Sequence, residues 1–191
     1  MVNNIAIFAS GNGTNAENII NYFKENNNII IKVIVSNKSN AYVLERAHKL
    51  NIPAVVCPNQ LWTTGEEILS LMKSYHINYI VLAGFLLKVP NTLLKAFPQR
   101  IINIHPALLP KFGGKSFYGS KVHEAVVAAK EKESGITIHF IDDNYDKGQT
   151  IFQAKCEVLP SDTADDVAKK VHVLEYKWFP VIIEKVITGT I

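Results

Sequence analysis

Apolar residues along this chain fall into short runs rich in isoleucine and valine. The runs are bounded by polar turns and separated by segments whose apolar positions recur at helical spacing. The runs predict strands at residues 5–9, 30–35, 54–56, 79–82 and 101–104. Between them, 15–23, 42–50 and 66–75 read as helices, with Asn51 and Gly65 at helix ends. Strands that are apolar throughout, rather than alternating, belong in a parallel sheet covered on both faces. The pattern therefore predicts a mostly parallel, doubly wound, Rossmann-like α/β fold with helices on both faces of the sheet.

Beyond Pro106 the rhythm changes. A Gly/Lys/Ser-rich loop at 111–120 leads to a predicted helix at 122–130, then to strands at 136–141 and 150–159 that bring the sheet to about seven strands. The last predicted helix, 162–186, opens on Asp162, Asp165 and Asp166, acids that suit a helix N-terminus, and Pro180 is expected to kink or interrupt it. With no repeat, low-complexity tract or linker, residues 1–191 read as one domain.

Composition narrows the function. At 191 residues, 48% of them hydrophobic, the chain is long enough to bury one sizeable core. The net charge of +3 comes from 20 basic and 17 acidic residues with no basic run, which disfavours nucleic acid or a membrane surface and favours small anionic ligands. Cys57 and Cys156 lack metal-ligand spacing and are expected to be free thiols, with no metal required. No basic leader precedes an apolar core and no run reaches a membrane span, so a cytoplasmic protein is expected.

Directly after the first strand comes Ser10-Gly11-Asn12-Gly13-Thr14-Asn15-Ala16. Glycines at a strand-to-helix turn let backbone N–H groups approach an anion at the helix N-terminus, although a ligand-free turn uses the same residues. A dinucleotide site would place a carboxylate at the end of the second strand, where this chain has Ser36-Asn37-Lys38. A P-loop would need a Gly-Lys-Ser/Thr that is missing. Thr14 and Asn15 instead suit a single phosphate monoester.

Asn103 and His105 lie two apart in a strand-like run ending at Pro106, so both side chains share one face. An amide donor beside an imidazolium can stabilise an oxyanion, and histidine also exchanges protons near neutrality. The bland alternative is a pair that merely satisfies the turn before Pro106. A carboxylate partner for His105 is available in the loop Asp142-Asp143-Asn144-Tyr145-Asp146, where the residues themselves do not choose among three aspartates.

The run Asn103-Ile104-His105-Pro106-Ala107-Leu108-Leu109-Pro110-Lys111-Phe112 resembles the signature of the folate-dependent formyltransferases. The similarity continues through Ser10 to Asn15, Val35 to Lys38, Leu82 to Phe85, Gly135 to Phe140 and Tyr145 to Gly148, in family order over nearly the whole chain. The resemblance implies a formyltransferase fold and transfer of the formyl group of 10-formyltetrahydrofolate, the cosubstrate, to the amine of phosphoribosylglycinamide in purine synthesis. It implies Asn103, His105 and Asp146 as a catalytic trio, His105 donating a proton and Asp146 keeping it charged. Gly13, Thr14 and Asn15 would hold the acceptor's phosphate, with His172 and Glu175 binding the glycinamide part.

The N-terminal half would thus bind phosphate and substrate, and the C-terminal half would supply folate contacts and the catalytic loop. Folate contacts are implied for Leu86, Leu87, Lys88, Val89, Asn103, Asp142, Asp143, Asn144, Tyr145 and Asp146. Many relatives have Met-Arg after the Ala-Gly-Phe turn, whereas this chain has Leu86-Leu87 with Lys88 one place later, and residues 62–65 contain no arginine. His139 reads either as support for the trio or as core packing. His123 stands near a helix start, His48 and His76 sit on predicted helices at surface positions, and Trp178 with Phe179 is expected to pack the last helix. The chain's length predicts neither a tRNA-binding nor a regulatory domain, and a monomer or weak homodimer is expected. The alternatives are formyl transfer to another amine and a silent nucleotide-binding module.

Overall fold

A computed structural model describes residues 2–114, 117–142, 146 and 148–191. Its strands are β1 (Asn3–Phe8), β2 (Ile29–Ser36), β3 (Ala54–Val56), β4 (Tyr79–Leu82), β5 (Ile101–His105), β6 (Glu133–Phe140) and β7 (Thr150–Glu157). They form one sheet in the order β3-β2-β1-β4-β5-β6-β7. The helices are α1 (Thr14–Phe23), α2 (Val43–Lys49), α3 (Glu66–Ser74), α4 (Asn91–Ala96), α5 (Ser120–Ala128) and α6 (Ala164–Thr188). Every strand and helix expected from the hydrophobic pattern is present within a few residues of its expected bounds. The short α4 and the 3-10 turn Asn59–Trp62 carry too few residues to show a period, and were not anticipated.

By its internal contacts the chain divides into two compact units, Met1–Asn103 and Ile104–Ile191. In the first, β1 pairs in parallel with both β2 and β4, β2 with β3, and β4 with β5. Successive residues Ile5, Ala6, Ile7 and Phe8 are all inaccessible, which is why this strand reads as a continuous apolar run. Phe8 packs edge-on against Trp62, and Trp62 against Phe85. From β1 the chain runs outward to β2 and β3 and then returns to β4. The order therefore reverses between β1 and β4, and in open α/β sheets ligands bind beyond the carboxyl ends of the strands at such a point. The loops leaving those two ends are the glycine turn and the segment containing Leu86 to Val89.

In the second unit β6 and β7 form an antiparallel ladder, with Ile136 opposite Ala154 and Ile138 opposite Phe152. Burying six consecutive residues of β6, from Ser134 to His139, places it inside the sheet, whereas β7 alternates between exposed and half-buried positions as an edge strand does. Helix α6 starts at a reciprocal cap: Asp166 N–H donates to Thr163 Oγ1, and Thr163 N–H donates to Asp166 Oδ2. Trp178 meets Phe152 at 4.9 Å between ring centroids, and Phe179 is fully buried.

Two expectations are corrected here. Pro180 does not interrupt α6, which is one helix of 25 residues with the proline buried inside it. Proline removes one ladder donor, but Glu175 and Phe179 before it and Ile182 and Ile183 after it are all buried, and packing of this kind outweighs a single lost bond. His76 lies just past α3 rather than on it, in the left-handed conformation at φ 52. Among the described residues no helix is long and apolar enough to cross a membrane.

Candidate active site

His105 ends β5 and is 5% exposed. Its Nε2 lies 2.7 Å from the Phe112 carbonyl oxygen and its Nδ1 3.6 Å from Asp146 Oδ2. A neutral imidazole donates from only one nitrogen, so a ring with an acceptor oxygen facing each nitrogen is suited by the imidazolium. At 3.6 Å the contact to Asp146 is longer than a hydrogen bond.

Asp146 is held from three sides. Its Oδ2 accepts from the Gly114 N–H at 2.8 Å, its Oδ1 lies 3.7 Å from His139 Nε2, and its backbone is left-handed at φ 54, which aspartate tolerates better than most residues. His139 is 1% exposed and directs Nδ1 at the Phe140 carbonyl, 2.9 Å away. Burial pushes the His139 imidazole below its ordinary value despite the Phe140 carbonyl and Asp146. Of the two rings flanking Asp146, His139 is the one that burial disfavours as an imidazolium.

Backbone strain and a buried hydroxyl hold the segment after His105. Phe112 is left-handed at φ 54, costly for a bulky side chain, and its carbonyl is the one that meets His105. Thr137, wholly buried, donates to the Ala107 carbonyl at 2.7 Å and accepts from Leu109 N–H at 3.0 Å and Gln153 Nε2 at 2.8 Å. A hydroxyl has one proton and two lone pairs, so Thr137 is fully satisfied.

His172 and Glu175 face one another on α6, His172 Nδ1 lying 2.8 Å from Glu175 Oε2, with Glu175 buried. This hydrogen bond raises the His172 value above the ordinary one. His123 on α5 is buried, and its Nδ1 finds no partner among the described residues. Burial first, then the neighbouring His172, pushes it down, against the pull of Glu175. The two histidines therefore have opposite linkage. Below about pH 6.5 the unfolded chain protonates its histidines while folded His123 resists, so the stability that neutral His123 contributes is complete above that pH and is lost as pH falls toward its lowered folded value. The contribution of His172 is complete below about pH 6.5 and is lost as pH rises through its raised folded value. Urea titrations across this range should show the acid-side loss of stability flattened in His123→Gln and the alkaline-side loss flattened in His172→Gln.

In the first unit Gly13 is the N-cap of α1 at φ 77, and a Cβ there would lie 2.4 Å from Val43 Cγ2 and 2.9 Å from the Val43 Cα. Only glycine fits. Thr14 and Asn15 open the helix, half-buried. Buried Ser10 ties the turn to the loop after β4: its backbone N–H donates to the Gly84 carbonyl, and its Oγ accepts from Leu86 N–H at 3.0 Å. The Ser10 proton then goes to Asn37 Oδ1 at 2.6 Å, and Asn37 Nδ2 donates to Asn59 Oδ1. Where a dinucleotide fold would place a carboxylate, this chain spends Asn37 on bracing the turn. Leu86 is 47% exposed and Leu87 half-buried, so both offer apolar surface. Lys88 is exposed, while Val89 is buried and packs inward.

The structure thus brings Asp146 to His105, while Asp142 is exposed. Asp143, Asn144 and Tyr145, expected at the folate site, lie outside the described residues. Asn103 is half-buried, opposite Leu82 in the ladder with β4. Sequence reasoning missed the backbone partners Gly114 N–H and Phe112 C=O, which carry no side-chain signal. Among the described residues no group of three or more His, Cys, Asp or Glu side chains is placed to hold a metal ion.

Residues 3–183 match the family described as formyl transferase. Among similar proteins, the chloroplastic phosphoribosylglycinamide formyltransferase of Arabidopsis thaliana is 37% identical over 92% of this chain and 62% of its own length. The Bacillus subtilis phosphoribosylglycinamide formyltransferase is 34% identical over 95% of this chain and 93% of its own. The chain spans about three fifths of the length of the two plant relatives from Arabidopsis thaliana and Vigna unguiculata, 62% and 59%. The crystal structure of the phosphoribosylglycinamide formyltransferase from Bacillus halodurans superposes with a TM-score of 0.88 at 33% identity, covering 98% of this chain and 97% of that one. With the family match running from β1 into α6 and taking in both the glycine turn and His105, this chain belongs to the formyl transferase family.

Proposed function

We propose that this chain transfers the formyl group of 10-formyltetrahydrofolate to the amine of phosphoribosylglycinamide, giving formyl-phosphoribosylglycinamide and tetrahydrofolate in purine synthesis. The observation that carries the reading is His105 held between two acceptors, Asp146 Oδ2 and the Phe112 carbonyl. The names of the Bacillus and plant relatives, 34% and 37% identical to this chain, support the acceptor. The two free cysteines suit a reducing cytoplasm.

Attack of an amine on a formyl carbon builds negative charge on the formyl oxygen, and the departing nitrogen needs a proton. Asn103 would donate an amide N–H to that oxygen, and His105, as imidazolium, would donate to it and then pass its proton to the folate nitrogen as the bond from that nitrogen to the formyl carbon breaks; the proton shed by the attacking amine would restore the imidazolium. Asp146 would hold the positive charge on His105 between turnovers. Gly13, Thr14 and Asn15 would bind the acceptor's phosphate at the start of α1, and Glu175 with His172 its glycinamide part. The donor's pterin suits the apolar surface of Leu86 and Leu87, and Lys88 is the cation nearest in sequence for its glutamate tail.

The test follows deformylation of 10-formyltetrahydrofolate by absorbance, with and without phosphoribosylglycinamide. Acceptor-dependent deformylation is the expected result. Turnover without acceptor would mean hydrolysis, turnover only with another amine a different acceptor, and binding without turnover a silent module.

A further inference from the structure

The side chain of Arg46 reaches from α2 back to the glycine turn. Its Nε donates to the Asn12 carbonyl at 2.9 Å and its Nη2 to Asn12 Oδ1 at 2.8 Å, while its Nη1 pairs with the Glu17 carboxylate. The guanidinium lies over the Tyr42 ring, 4.9 Å from its centroid. At the same place the Val43 N–H donates to the Gly11 carbonyl, so α2 grips the turn at two successive residues.

Glu17 stands in the first turn of α1. A carboxylate there is favourable for an empty helix, whose N-terminus carries partial positive charge. It is unfavourable for a phosphate dianion bound at that same N-terminus, because the like charges lie within one helical turn of each other. Arg46 answers both needs with separate nitrogens: two hold Asn12 between the two glycines, and the third neutralises Glu17.

We propose that Arg46 is a positioning residue for the acceptor's phosphate, fixing the Gly11-Asn12-Gly13 turn through Asn12 and cancelling the charge of Glu17 so that the turn accepts a phosphate monoester dianion. The proposal rests on the reading that this turn binds the acceptor's phosphate. Lysine would supply the charge but not the planar fork, so Arg46→Lys separates the two roles.

The experiment uses the whole chain and two readouts: the Kd for ribose 5-phosphate by calorimetry, and the KM for each substrate with kcat. Arg46→Met should weaken ribose 5-phosphate and raise the acceptor KM by about tenfold or more, while the KM for the folate and kcat at saturation move by less than about threefold. Adding Glu17→Gln to Arg46→Met should recover a large part of that loss, and Arg46→Lys should fall between. Unchanged ribose 5-phosphate affinity in Arg46→Met, or no recovery in the double variant, would overturn the proposal. Should Arg46→Met fail to fold, Glu17→Gln alone carries the test: it must tighten ribose 5-phosphate severalfold at low salt and by less at high salt, and no change would overturn the proposal. If the wild-type chain itself ignores ribose 5-phosphate and uses glycinamide riboside as well as its phosphate, the reading of the turn fails instead.

Discussion

Replacing Asp146 by asparagine will lower kcat by about a hundredfold or more, with the KM for both substrates changed by no more than a few fold. The loss follows from what the carboxylate does in the frame. One oxygen of Asp146 takes the Gly114 N–H and faces His105, while the other faces His139. An amide still offers one oxygen to Gly114, so the loop keeps its anchor. It has no charge to set against an imidazolium at His105. The groups proposed to bind the acceptor are untouched while transition-state stabilisation is lost, so turnover should fall much more than substrate affinity. Steady-state kinetics with both substrates decide it. An Asp146→Asn enzyme with near wild-type kcat would remove Asp146 from the mechanism.

A large stability effect is expected at Gly135, where alanine should cost about 3 kcal/mol. A Cβ on this residue of β6 would lie 2.0 Å from the Ala154 carbonyl oxygen, 3.0 Å from its carbon and 2.9 Å from Leu108 Cδ2. Gly135 is paired with Lys155 in the antiparallel ladder, so the two strands cannot separate there without breaking the backbone hydrogen bonds between them. Gly11→Ala is the matched control: its Cβ would meet nothing within 4 Å, and its effect on stability should stay within about 0.5 kcal/mol. Urea denaturation midpoints of the two variants give the comparison. A Gly135→Ala protein as stable as wild type would mean that β6 and β7 are not packed as described.

The continuous apolar runs of β1 and β4 announced their strands because burial of nearly every residue removes polar side chains from the run itself; in β2 the half-buried Lys32 interrupts the run. β7 was harder to end correctly because an edge strand alternates, and its last apolar residues, Val158 and Leu159, lie beyond the ladder. Pro180 does not end α6 because propensity is local and α6 is held by residues from elsewhere in its unit. His139 was left between two roles, since an alternating strand shows which face a residue occupies but not the carboxylate waiting there.

What the sequence by itself determined is the set of chemical groups and their local geometry: a glycine at the helix start, Asn103 and His105 on one strand face, and a run of acids in a loop. Those follow from backbone sterics and strand or helix period, which act over a few residues. Only the tertiary structure decided which oxygen faces which nitrogen. The Phe112 carbonyl and Gly114 N–H belong to the backbone and leave no trace in residue identity. The bond from Ser10 to Asn37 and the grip of Arg46 on Asn12 join residues 27 and 34 positions apart. Contacts of that range exist only once the sheet has closed the loops between them, and the loop-closure entropy they require is met by burial of the whole core rather than by any one motif.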